Sequence, residues 1–408
     1  MIPNSKGLLA NNDFDLVVTN ELIPFLIHYF SRFRIKEMKL LVSNYHKLSN
    51  INGFSYAEPQ YKHEEGEDMK ALIYMGPKNV VVQDRNIPDN KDCALIKVSY
   101  AGICGSDIGI VSGKHPRAKA PLILGHEFVG VVESIKENKR GIKKGDKVVV
   151  YPLIVCGKCR ACRTGSEHVC NSLRLIGIDI DGGMAEYASV PIEKLYKVPE
   201  GLEDDVATLI EPLAVIVHGI NEIGVNLGDN VVVTGAGPIG LLTGLALRDA
   251  GASDIYFAEM DDFRLSKCRE FGFNAIDIKN SDVISIIRQN TDNEGADILI
   301  EASGAPGAAL QMTEMVMPKG RILMLSIHKQ PNPVDLRQIN FKEITIAGSR
   351  VYTRQEFEYA IKYAVKIKED LAKLITHRVP LKNGDEAFKI VDDKNVNKLK
   401  ILIDCKNV

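Results

Sequence analysis

Between residues 69 and 213, short runs of β-branched and other apolar residues recur, and glycine, aspartate and proline separate them. Short apolar runs between turn-forming residues are typical of β-strands. The pattern predicts strands at residues 79–82, 93–100, 127–135, 147–151 and 186–190. This part of the chain, which opens with a strand at 69–75, is therefore expected to be β-rich.

The pattern changes at about residue 229, where strand-length apolar runs begin to alternate with segments of helix length. Such alternation is typical of a parallel sheet with crossover helices. The predicted strands are 230–234, 255–259, 298–302 and 320–327, and the predicted helices are 240–250, 264–271 and 308–316. A helix from about residue 357 and a strand at 399–403 complete the expected α/β architecture.

Length and composition are those of an ordinary globular chain. With 408 residues, 45% of them hydrophobic and 25% charged, two domains are expected. The net charge of −2 gives no overall field that would attract nucleic acid or an anionic membrane. No apolar run approaches the roughly 18 residues of a membrane-spanning helix.

Residues 1–68 lack the glycine-punctuated pattern of the rest and end in an acidic run at 64–68. We expect an N-terminal extension of unknown role, joined to the body by an acidic linker. Met69, at the first predicted strand, is an alternative start of the protein. Transit peptides are poor in acidic residues, so the presence of Asp13, Asp15, Glu21 and Glu37 argues against a transit peptide here.

A glycine motif lies between the first strand and the first helix of the alternating region. Gly235 permits a tight turn, Gly237 lets the backbone approach a pyrophosphate, and Gly240 lets the helix pack on the strand. Pro238 and Ile239 complete the G-x-G-x-x-G pattern. Because the helix N-terminus offers free N–H groups to phosphates, the motif predicts a dinucleotide site.

The next strand ends in Glu259, 19 residues after Gly240. An acidic side chain at this position accepts hydrogen bonds from the ribose hydroxyls and repels a 2′-phosphate, which favours NAD over NADP. Arg264 could weaken this preference. In the alternative interpretation, Glu259 only ends a strand at the surface.

Half of the chain's eight cysteines lie in one segment with the spacing C-x2-C-x2-C-x7-C, namely Cys156, Cys159, Cys162 and Cys170. Four thiolates this close can bind one metal ion tetrahedrally, which favours zinc and leaves no position for substrate. A structural zinc site is therefore expected. A disulfide framework, an iron–sulfur cluster and a zinc ribbon that binds nucleic acid are the alternatives.

Three further segments could supply an open metal site, in which three protein ligands leave room for a water or a substrate. Their candidate ligands are Cys104, His126 with its neighbour Glu127, and Glu211. Each of these residues alone also has an ordinary explanation as a core thiol, a core histidine or a surface carboxylate. Their combination with the four-cysteine segment and the glycine motif favours a catalytic metal.

Together the motifs resemble those of the zinc-dependent medium-chain alcohol dehydrogenases, over nearly all of residues 69–408. The motifs are GICGSD at 102–107, GHEFVG at 125–130, the four-cysteine segment at 156–170, EPLAV at 211–215 and GAGPIG at 235–240. The resemblance implies a homodimer or homotetramer in the cytoplasm with two zinc ions per chain. It also implies a GroES-like catalytic domain and a Rossmann domain, at 69–213 with 357–408 and at 214–356.

By this resemblance Cys104, His126 and Glu211 would bind the catalytic zinc, and Glu127 would be a supporting or exchanging ligand. Glutamate at the third ligand position resembles the sorbitol and polyol dehydrogenase branch, since many alcohol dehydrogenases have cysteine there. Zinc would polarise the substrate hydroxyl while hydride leaves for the nicotinamide.

The resemblance also assigns the residues beside the metal. Ser106 would bind the substrate hydroxyl and start its proton outward, and Asp107 would orient His126. The family often carries a histidine three residues after the serine, where this chain has Gly109. The later steps of the proton relay could use His115, water or the cofactor ribose.

The other histidines are expected to have structural roles. His168 lies in the four-cysteine segment, where four thiolates already suffice, His218 lies on a predicted helix, and His377 precedes a predicted strand. Arg350 lies near the position of substrate-side residues in polyol enzymes but is shifted by one residue, so it receives no role.

The predicted activity is hydride transfer between a secondary alcohol and NAD, with a polyol, sugar alcohol or cyclitol as substrate. L-threonine 3-dehydrogenase and 2,3-butanediol dehydrogenase are alternatives within the same family. A non-catalytic protein on this fold is disfavoured because all of the expected ligands are present. A nucleic-acid-binding ribbon with Lys158, Arg160 and Arg163 as its basic face is disfavoured because so many enzyme motifs coincide.

Overall fold

A computed structural model describes residues 68–89 and 93–408. The predicted N-terminal extension and its linker lie outside these residues, apart from Asp68, where the first strand begins. Among the described residues, no helix is both long enough and apolar enough to cross a membrane.

The described residues form 18 strands. In chain order they are β1 (Asp68–Gly76), β2 (Asn79–Asn86), β3 (Cys93–Gly102), β4 (Leu122–Ile123), β5 (Glu127–Ser134), β6 (Lys147–Val150), β7 (Leu153–Ile154), β8 (Arg174–Leu175), β9 (Tyr187–Pro191), β10 (Leu195–Lys197), β11 (Val231–Thr234), β12 (Ile255–Glu259), β13 (Asn274–Asp277), β14 (Ala296–Glu301), β15 (Val316–Met324), β16 (Thr345–Gly348), β17 (Ile375–Pro380) and β18 (Lys400–Asp404).

The same residues form 12 α-helices, two of them a single turn. They are α1 (Gly105–Val111), α2 (Arg160–Arg163), α3 (Asp204–Ala207), α4 (Ile210–Ile223), α5 (Pro238–Ala250), α6 (Asp262–Glu270), α7 (Val283–Gln289), α8 (Pro306–Met315), α9 (Leu336–Lys342), α10 (Arg354–Lys366), α11 (Lys368–Leu374) and α12 (Gly384–Asp392).

A seven-stranded sheet collects strands from both ends of the described chain. Its order is β10-β6-β5-β3-β18-β17, and β9 also pairs with β3. The last strand, β18, runs antiparallel to β3, with Leu402 opposite Gly102. The C-terminal segment therefore returns to the end of β3, next to Cys104. Smaller antiparallel sheets are β2-β1-β4 and β7-β8.

The alternating region forms one parallel sheet with the order β13-β12-β11-β14-β15-β16. Counted along the chain this is 3-2-1-4-5-6, the order of a doubly wound dinucleotide-binding sheet. All four residues of the central strand β11 are buried, as expected where helices cover both faces of a sheet. The strand order reverses between β11 and β14, so the carboxyl ends of these strands form the crevice where ligands bind.

All four strands predicted in this region are present, but one begins earlier than expected. The strand predicted at 320–327 overlaps β15, which runs from Val316 to Met324 and whose first residue pairs with Ala296 across an irregular register. The two edge strands, β13 and β16, were not predicted. Their side chains are mostly half-buried or exposed, so they lack the continuous apolar run of a central strand.

Candidate active site and metal centres

Antiparallel pairing of β3 with β5 brings Cys104 and His126 together. In this pairing Gly102 lies opposite Glu127, so the residues that follow β3 meet those that begin β5. The Cys104 thiol, an imidazole nitrogen of His126 and a carboxylate oxygen of Glu127 lie within 4.8 Å of one another. Thiolate, imidazole and carboxylate are all ordinary zinc ligands, so this group fits a zinc ion.

His126 is buried, and its two ring nitrogens face different neighbours. Nε2 lies 3.4 Å from the Ser106 hydroxyl oxygen, whereas Nδ1 lies 3.9 Å from Oδ1 of Asp107, beyond hydrogen-bond distance. Oδ2 of Asp107 instead accepts the backbone N–H of Cys104 at 2.8 Å. Asp107 therefore faces the expected side of His126, but it does not form the expected hydrogen bond.

Opposing effects act on the pKa of His126. Burial disfavours the imidazolium, but the neighbouring Cys104, Asp107 and Glu211 favour it and hold the pKa of His126 well above its ordinary value. Nδ1 of His126 and Oδ1 of Asp107 are both buried and have no hydrogen-bond partner among the described residues. Such orphaned atoms beside three candidate ligands fit a site that is built around a cation.

Glu127 forms an ion pair with Lys400 inside the protein, and both side chains are at most 4% exposed. The Lys400 ammonium also donates to the carbonyl of Ile103 at 3.1 Å. Lys400 was not among the predicted site residues. The available signal was a lysine at the start of an apolar strand, since a buried lysine requires a partner.

Glu211 lies in the first turn of α4 and is buried beside the same group. Burial raises the pKa of its carboxyl to about 7. Its Oε1 accepts a hydrogen bond of 2.6 Å from the hydroxyl of Tyr352, a second residue that the sequence analysis did not assign. The ligand group within 4.8 Å contains Glu127 rather than Glu211, so the two carboxylates are not equivalent here.

Space for a proton route exists beside Ser106. Gly109 follows it by three positions on α1, so the two residues share a helix face, and a side chain at Gly109 would meet nothing within 4 Å. His115 donates its backbone N–H to the carbonyl of Gly109. Its Nδ1 accepts hydrogen bonds from the backbone N–H groups of Arg117 and Ala118, so only Nε2 is left for proton transfer. Burial and the positive charge of Arg117 lower the pKa of His115.

The four cysteines at 156–170 converge as predicted, with all four sulfurs within 4.8 Å of one another. Three of the sulfur–sulfur distances are 3.5, 3.9 and 3.9 Å. A zinc tetrahedron with Zn–S bonds of roughly 2.3 Å requires about 3.8 Å. The geometry fits one zinc ion and is far from the roughly 2.05 Å of a disulfide.

Backbone N–H groups surround these sulfurs. Cys156 and Ser172 both donate their N–H groups to the sulfur of Cys170 at 3.4 Å. The N–H groups of Cys162 and Asn171 lower the pKa of the Cys159 thiol to about 6. Burial acts in the other direction at Cys162, where it raises the pKa of the thiol. Backbone N–H groups therefore favour the thiolate, the form that binds metal, at Cys159 but not at every cysteine of the segment.

His168 and His218 pack together rather than facing the sulfurs. Their rings meet edge to face with centroids 4.7 Å apart, and Nδ1 of His218 lies 2.9 Å from a carboxylate oxygen of Glu356. His377 lies inside β17 rather than before it, so that expectation was wrong. The strand begins earlier because Ile375 already pairs with Lys400 of β18.

The glycine motif forms the expected turn between β11 and α5. Gly235 has φ of +91°, and a Cβ atom there would lie 3.0 Å from Ser303. A Cβ atom on Gly240 would lie 2.0 Å from the carbonyl oxygen of Gly235, so the helix could not approach the turn. A Cβ atom on Gly237 would meet nothing within 4 Å, which leaves open space at the first residue before α5. The turn thus combines tight backbone packing with an open phosphate-binding side.

Glu259 ends β12 and is buried. Its carboxylate accepts the N–H of Ala236 in the glycine turn at 2.8 Å, and those of Met260 and Asp261 at 2.7 and 3.0 Å. A guanidinium nitrogen of Arg264 lies 3.8 Å away. Glu259 is therefore held at the glycine turn, where an acidic residue that faces a ribose is expected.

The chain matches two family models. Residues 90–200 match the alcohol dehydrogenase GroES-like domain, and residues 238–366 match the zinc-binding dehydrogenase domain. It is 34% identical over 339 residues to 2-dehydro-3-deoxy-L-galactonate 5-dehydrogenase from Pseudoalteromonas atlantica, covering 83% of this chain and 99% of that protein.

Two further relatives have similar identity. Sorbitol dehydrogenase from Halalkalibacterium halodurans is 35% identical over 342 residues, which are 82% of this chain and 99% of that protein. L-threonine 3-dehydrogenase from Bacillus subtilis is 34% identical over 344 residues, with coverage of 82% and 98%.

A solved structure of a zinc-binding dehydrogenase has a similar fold. The zinc-binding dehydrogenase from Sinorhizobium meliloti bound to NADP superposes with a TM-score of 0.76 at 29% identity, over 83% of this chain and 99% of that chain. With the GroES-like and Rossmann folds, the chain belongs to the zinc-dependent medium-chain alcohol dehydrogenase family and is an alcohol oxidoreductase that uses zinc and a nicotinamide cofactor.

Proposed function

We propose that this chain is a NAD-dependent dehydrogenase that oxidises a secondary hydroxyl of a polyol, sugar alcohol or cyclitol. The observation that carries the proposal is the group of Cys104, His126 and Glu127 within 4.8 Å, beside the hydroxyl of Ser106. In the proposed arrangement, Cys104, His126 and Glu211 hold the catalytic zinc, while Glu127 stays with Lys400 and supports the site.

The chain's own residues would then bind and deprotonate the alcohol. When bound, zinc supplies a Lewis acid for the alcohol oxygen, and NAD supplies the hydride acceptor. Ser106, next to the candidate ligand His126, would accept the hydrogen bond of the substrate hydroxyl and, as it takes that proton, pass its own hydroxyl proton outward. The open side of Gly109 gives that proton room to leave through water or through Nε2 of His115.

The four cysteines at 156–170 would hold a second, structural zinc. Four like ligands leave no open position, and no chemistry is assigned to this lobe. We assign residues 69–213 and 357–408 to the catalytic domain and residues 214–356 to the cofactor domain. We also expect the activity to be cytoplasmic.

The preference for NAD rests on Glu259, whose carboxylate would repel a 2′-phosphate near the glycine turn. Arg264 lies close enough to soften this repulsion, and a relative of solved structure was bound to NADP. The Glu259→Gln variant should therefore lower the ratio of kcat/KM with NAD to kcat/KM with NADP. An unchanged ratio would show that Glu259 does not select the cofactor.

NADH formation across an alcohol panel tests the substrate class. The panel contains sorbitol, xylitol, galactitol, myo-inositol, 2,3-butanediol and L-threonine, each with NAD and NADP and with and without a chelator. Chelator-sensitive turnover of a polyol supports the proposal. Turnover of L-threonine or 2,3-butanediol alone contradicts the substrate class but retains the mechanism.

The alternative substrates are retained because sorbitol dehydrogenase and L-threonine 3-dehydrogenase are equally similar to this chain, at 35% and 34% identity. Glutamate at position 211 favours the polyol branch by resemblance. The residues that would contact the rest of the substrate decide between these activities. The alcohol panel tests this directly, because it measures which substrate the protein oxidises.

We propose that the chain forms a homo-oligomer whose interface includes one edge of the parallel sheet. Among the residues that the structure describes, strand β16 is the last strand on that side, and Ile346 on it is 38% exposed. The preceding helix α9 exposes Leu336 and Phe341, at 72% and 79%. An unpaired strand edge beside exposed apolar side chains is typical of an interface between copies. Light scattering of the purified chain should give a dimer or tetramer, and Ile346→Lys should weaken it.

A further inference from the structure

Tyr352 makes the one side-chain hydrogen bond that Glu211 has among the described residues. The tyrosine is fully buried, and its hydroxyl donates to Oε1 of Glu211 at 2.6 Å. The two residues are 141 positions apart in the chain, so only the tertiary fold brings them together. A phenol has one proton to donate, and here that proton is used on a candidate metal ligand.

The ring of Tyr352 is held firmly by its surroundings. Tyr151 meets it edge to face with centroids 5.8 Å apart, and Phe357 stacks on it at 5.6 Å. The next residue, Thr353, is the N-cap of α10 and forms a capping box with Glu356, which fixes the backbone immediately after the ring. The hydroxyl therefore has a defined position before any metal binds.

The backbone before Tyr352 is in an unfavourable conformation. Val351 has φ of +48°, in the left-handed region that β-branched residues rarely adopt. Such strain persists only where surrounding contacts hold it, and it is concentrated at functional sites. Here the unusual turn directs Tyr352 into the protein, toward α4 and Glu211.

Two carboxylates at the candidate site are thus held by different chemistry. Glu127 is held by the ammonium of Lys400, which neutralises its charge. Glu211 is held by a neutral hydroxyl, which orients one oxygen and leaves the negative charge for a cation. A hydrogen bond from a neighbour to one oxygen of a ligating carboxylate fixes the direction of the other oxygen.

We propose that Tyr352 is the positioning residue for Glu211, holding Oε1 so that Oε2 is presented to the catalytic zinc. The inference rests on one part of the proposed function, the assignment of Glu211 as a ligand of the catalytic zinc. It adds Tyr352, and the strained Val351 turn that supports it, to the residues on which the metal site depends.

The test compares Tyr352→Phe with a matched control, Tyr363→Phe. Tyr363 is also buried, and its hydroxyl donates to the carbonyl of Leu245 at 3.2 Å, away from the metal residues. Both variants lose one hydroxyl and keep the ring. Zinc affinity of the catalytic site is measured by chelator competition with the four-cysteine site filled, and cobalt absorption reports the ligand geometry.

Tyr352→Phe should weaken zinc binding at the catalytic site roughly 10- to 100-fold and change the cobalt spectrum. Tyr363→Phe should match the wild type in both measurements. In the Glu211→Gln background, removal of the Tyr352 hydroxyl should have no further effect on zinc affinity, because the oxygen it orients no longer belongs to a carboxylate ligand.

Wild-type affinity and an unchanged cobalt spectrum in Tyr352→Phe would overturn the inference. A further loss of affinity in Tyr352→Phe/Glu211→Gln would also overturn it, since Tyr352 would then act through another residue. These readouts do not use the alcohol reaction. An inactive wild-type chain would therefore count against the proposed function without deciding the role of Tyr352.

Discussion

The two candidate zinc sites are built in opposite ways. The four-cysteine site takes its ligands from one segment, 156–170, uses thiolates only, and is oriented by backbone N–H groups. Three of its four cysteines are only half-buried. The candidate catalytic site combines side chains from residues 104, 126 and 127 with the buried Glu211 beside them, and the two carboxylates have buried partners at 352 and 400.

This difference indicates what each site depends on. A local site of four thiolates draws all of its ligands from one short segment, so metal binding contributes directly to the order of that segment. A site made from distant buried side chains is ordered by the fold, since each buried charge must already have a partner. Damage to the first should therefore reduce stability, and damage to the second should reduce chemistry or metal binding.

The largest effect is expected in the four-cysteine lobe. Cys162→Ser should reduce zinc from about two ions per chain to about one and lower the free energy of unfolding by about 5 kcal/mol. This is part of the roughly 10–16 kcal/mol that structural zinc contributes to small zinc domains. Urea unfolding and metal analysis measure both quantities.

The control for this lobe is His168→Asn, which changes a histidine of the same segment that packs on His218. It should keep about two zinc ions per chain. Loss of one zinc ion in His168→Asn would show that this histidine is a ligand, contrary to the proposed four-thiolate site.

Cys104→Ser, in the candidate catalytic site, should reduce activity strongly and stability little. Because Lewis-acid stabilisation of a transition state is worth several kcal/mol, kcat/KM should fall at least about 1,000-fold, while the unfolding midpoint changes little. Steady-state kinetics and urea unfolding give the two values. Cys93→Ser, at a half-buried cysteine away from both sites, should leave kcat/KM unchanged. A Cys104→Ser variant that keeps its activity would contradict the ligand assignment.

Lys400→Met tests the buried ion pair, which has no counterpart in the four-cysteine lobe. It should destabilise the protein by about 3 kcal/mol, because Glu127 remains buried without its partner. The matched control is Lys194→Met. Lys194 is equally buried, but its ammonium donates to the carbonyl of Leu153 and lies over the ring of Tyr151 instead of pairing with a carboxylate, so about 1 kcal/mol is expected there.

A double variant separates charge from packing at this pair. Lys400→Met combined with Glu127→Gln should recover a large part of the lost stability, since no unpaired charge is then buried. Equal destabilisation by Lys400→Met and Lys194→Met would mean that the ion pair contributes nothing beyond an ordinary buried lysine.

The smallest effect is expected at the pair of His218 and Glu356, where Nδ1 of the histidine lies 2.9 Å from a carboxylate oxygen. Burial opposes ionisation of Glu356, but hydrogen bonds from His218 and Thr353 outweigh it and lower its pKa to about 2. The stabilisation from Glu356 is therefore present above the ordinary glutamate pKa of 4.5 and is lost as the pH falls toward 2.

Glu356→Gln should cost about 1 kcal/mol at pH 7, and its difference from the wild type should shrink at lower pH. Urea unfolding at pH 7, 4 and 2.5 measures this difference. A constant difference across that range would show that the charge of Glu356 does not contribute, only its capping hydrogen bonds.

Local patterns in the sequence were sufficient for a large part of this description. Periodicity predicted four of the six strands of the parallel sheet. The spacing of the glycines predicted the tight turn before α5, and the spacing of the four cysteines predicted that their sulfurs converge. The candidate ligands Cys104, His126 and Glu211 were not distinguishable by spacing, and a family resemblance was needed to group them.

Covalent spacing by itself determined the glycine turn and the four-cysteine lobe, because a few intervening residues allow the chain only a few conformations. Only the tertiary structure decided that Lys400 pairs with Glu127, that Tyr352 bonds Glu211, and that Asp107 stops short of His126. These contacts join residues on separate strands and helices, and no local periodicity encodes which distant partner a buried polar group will find.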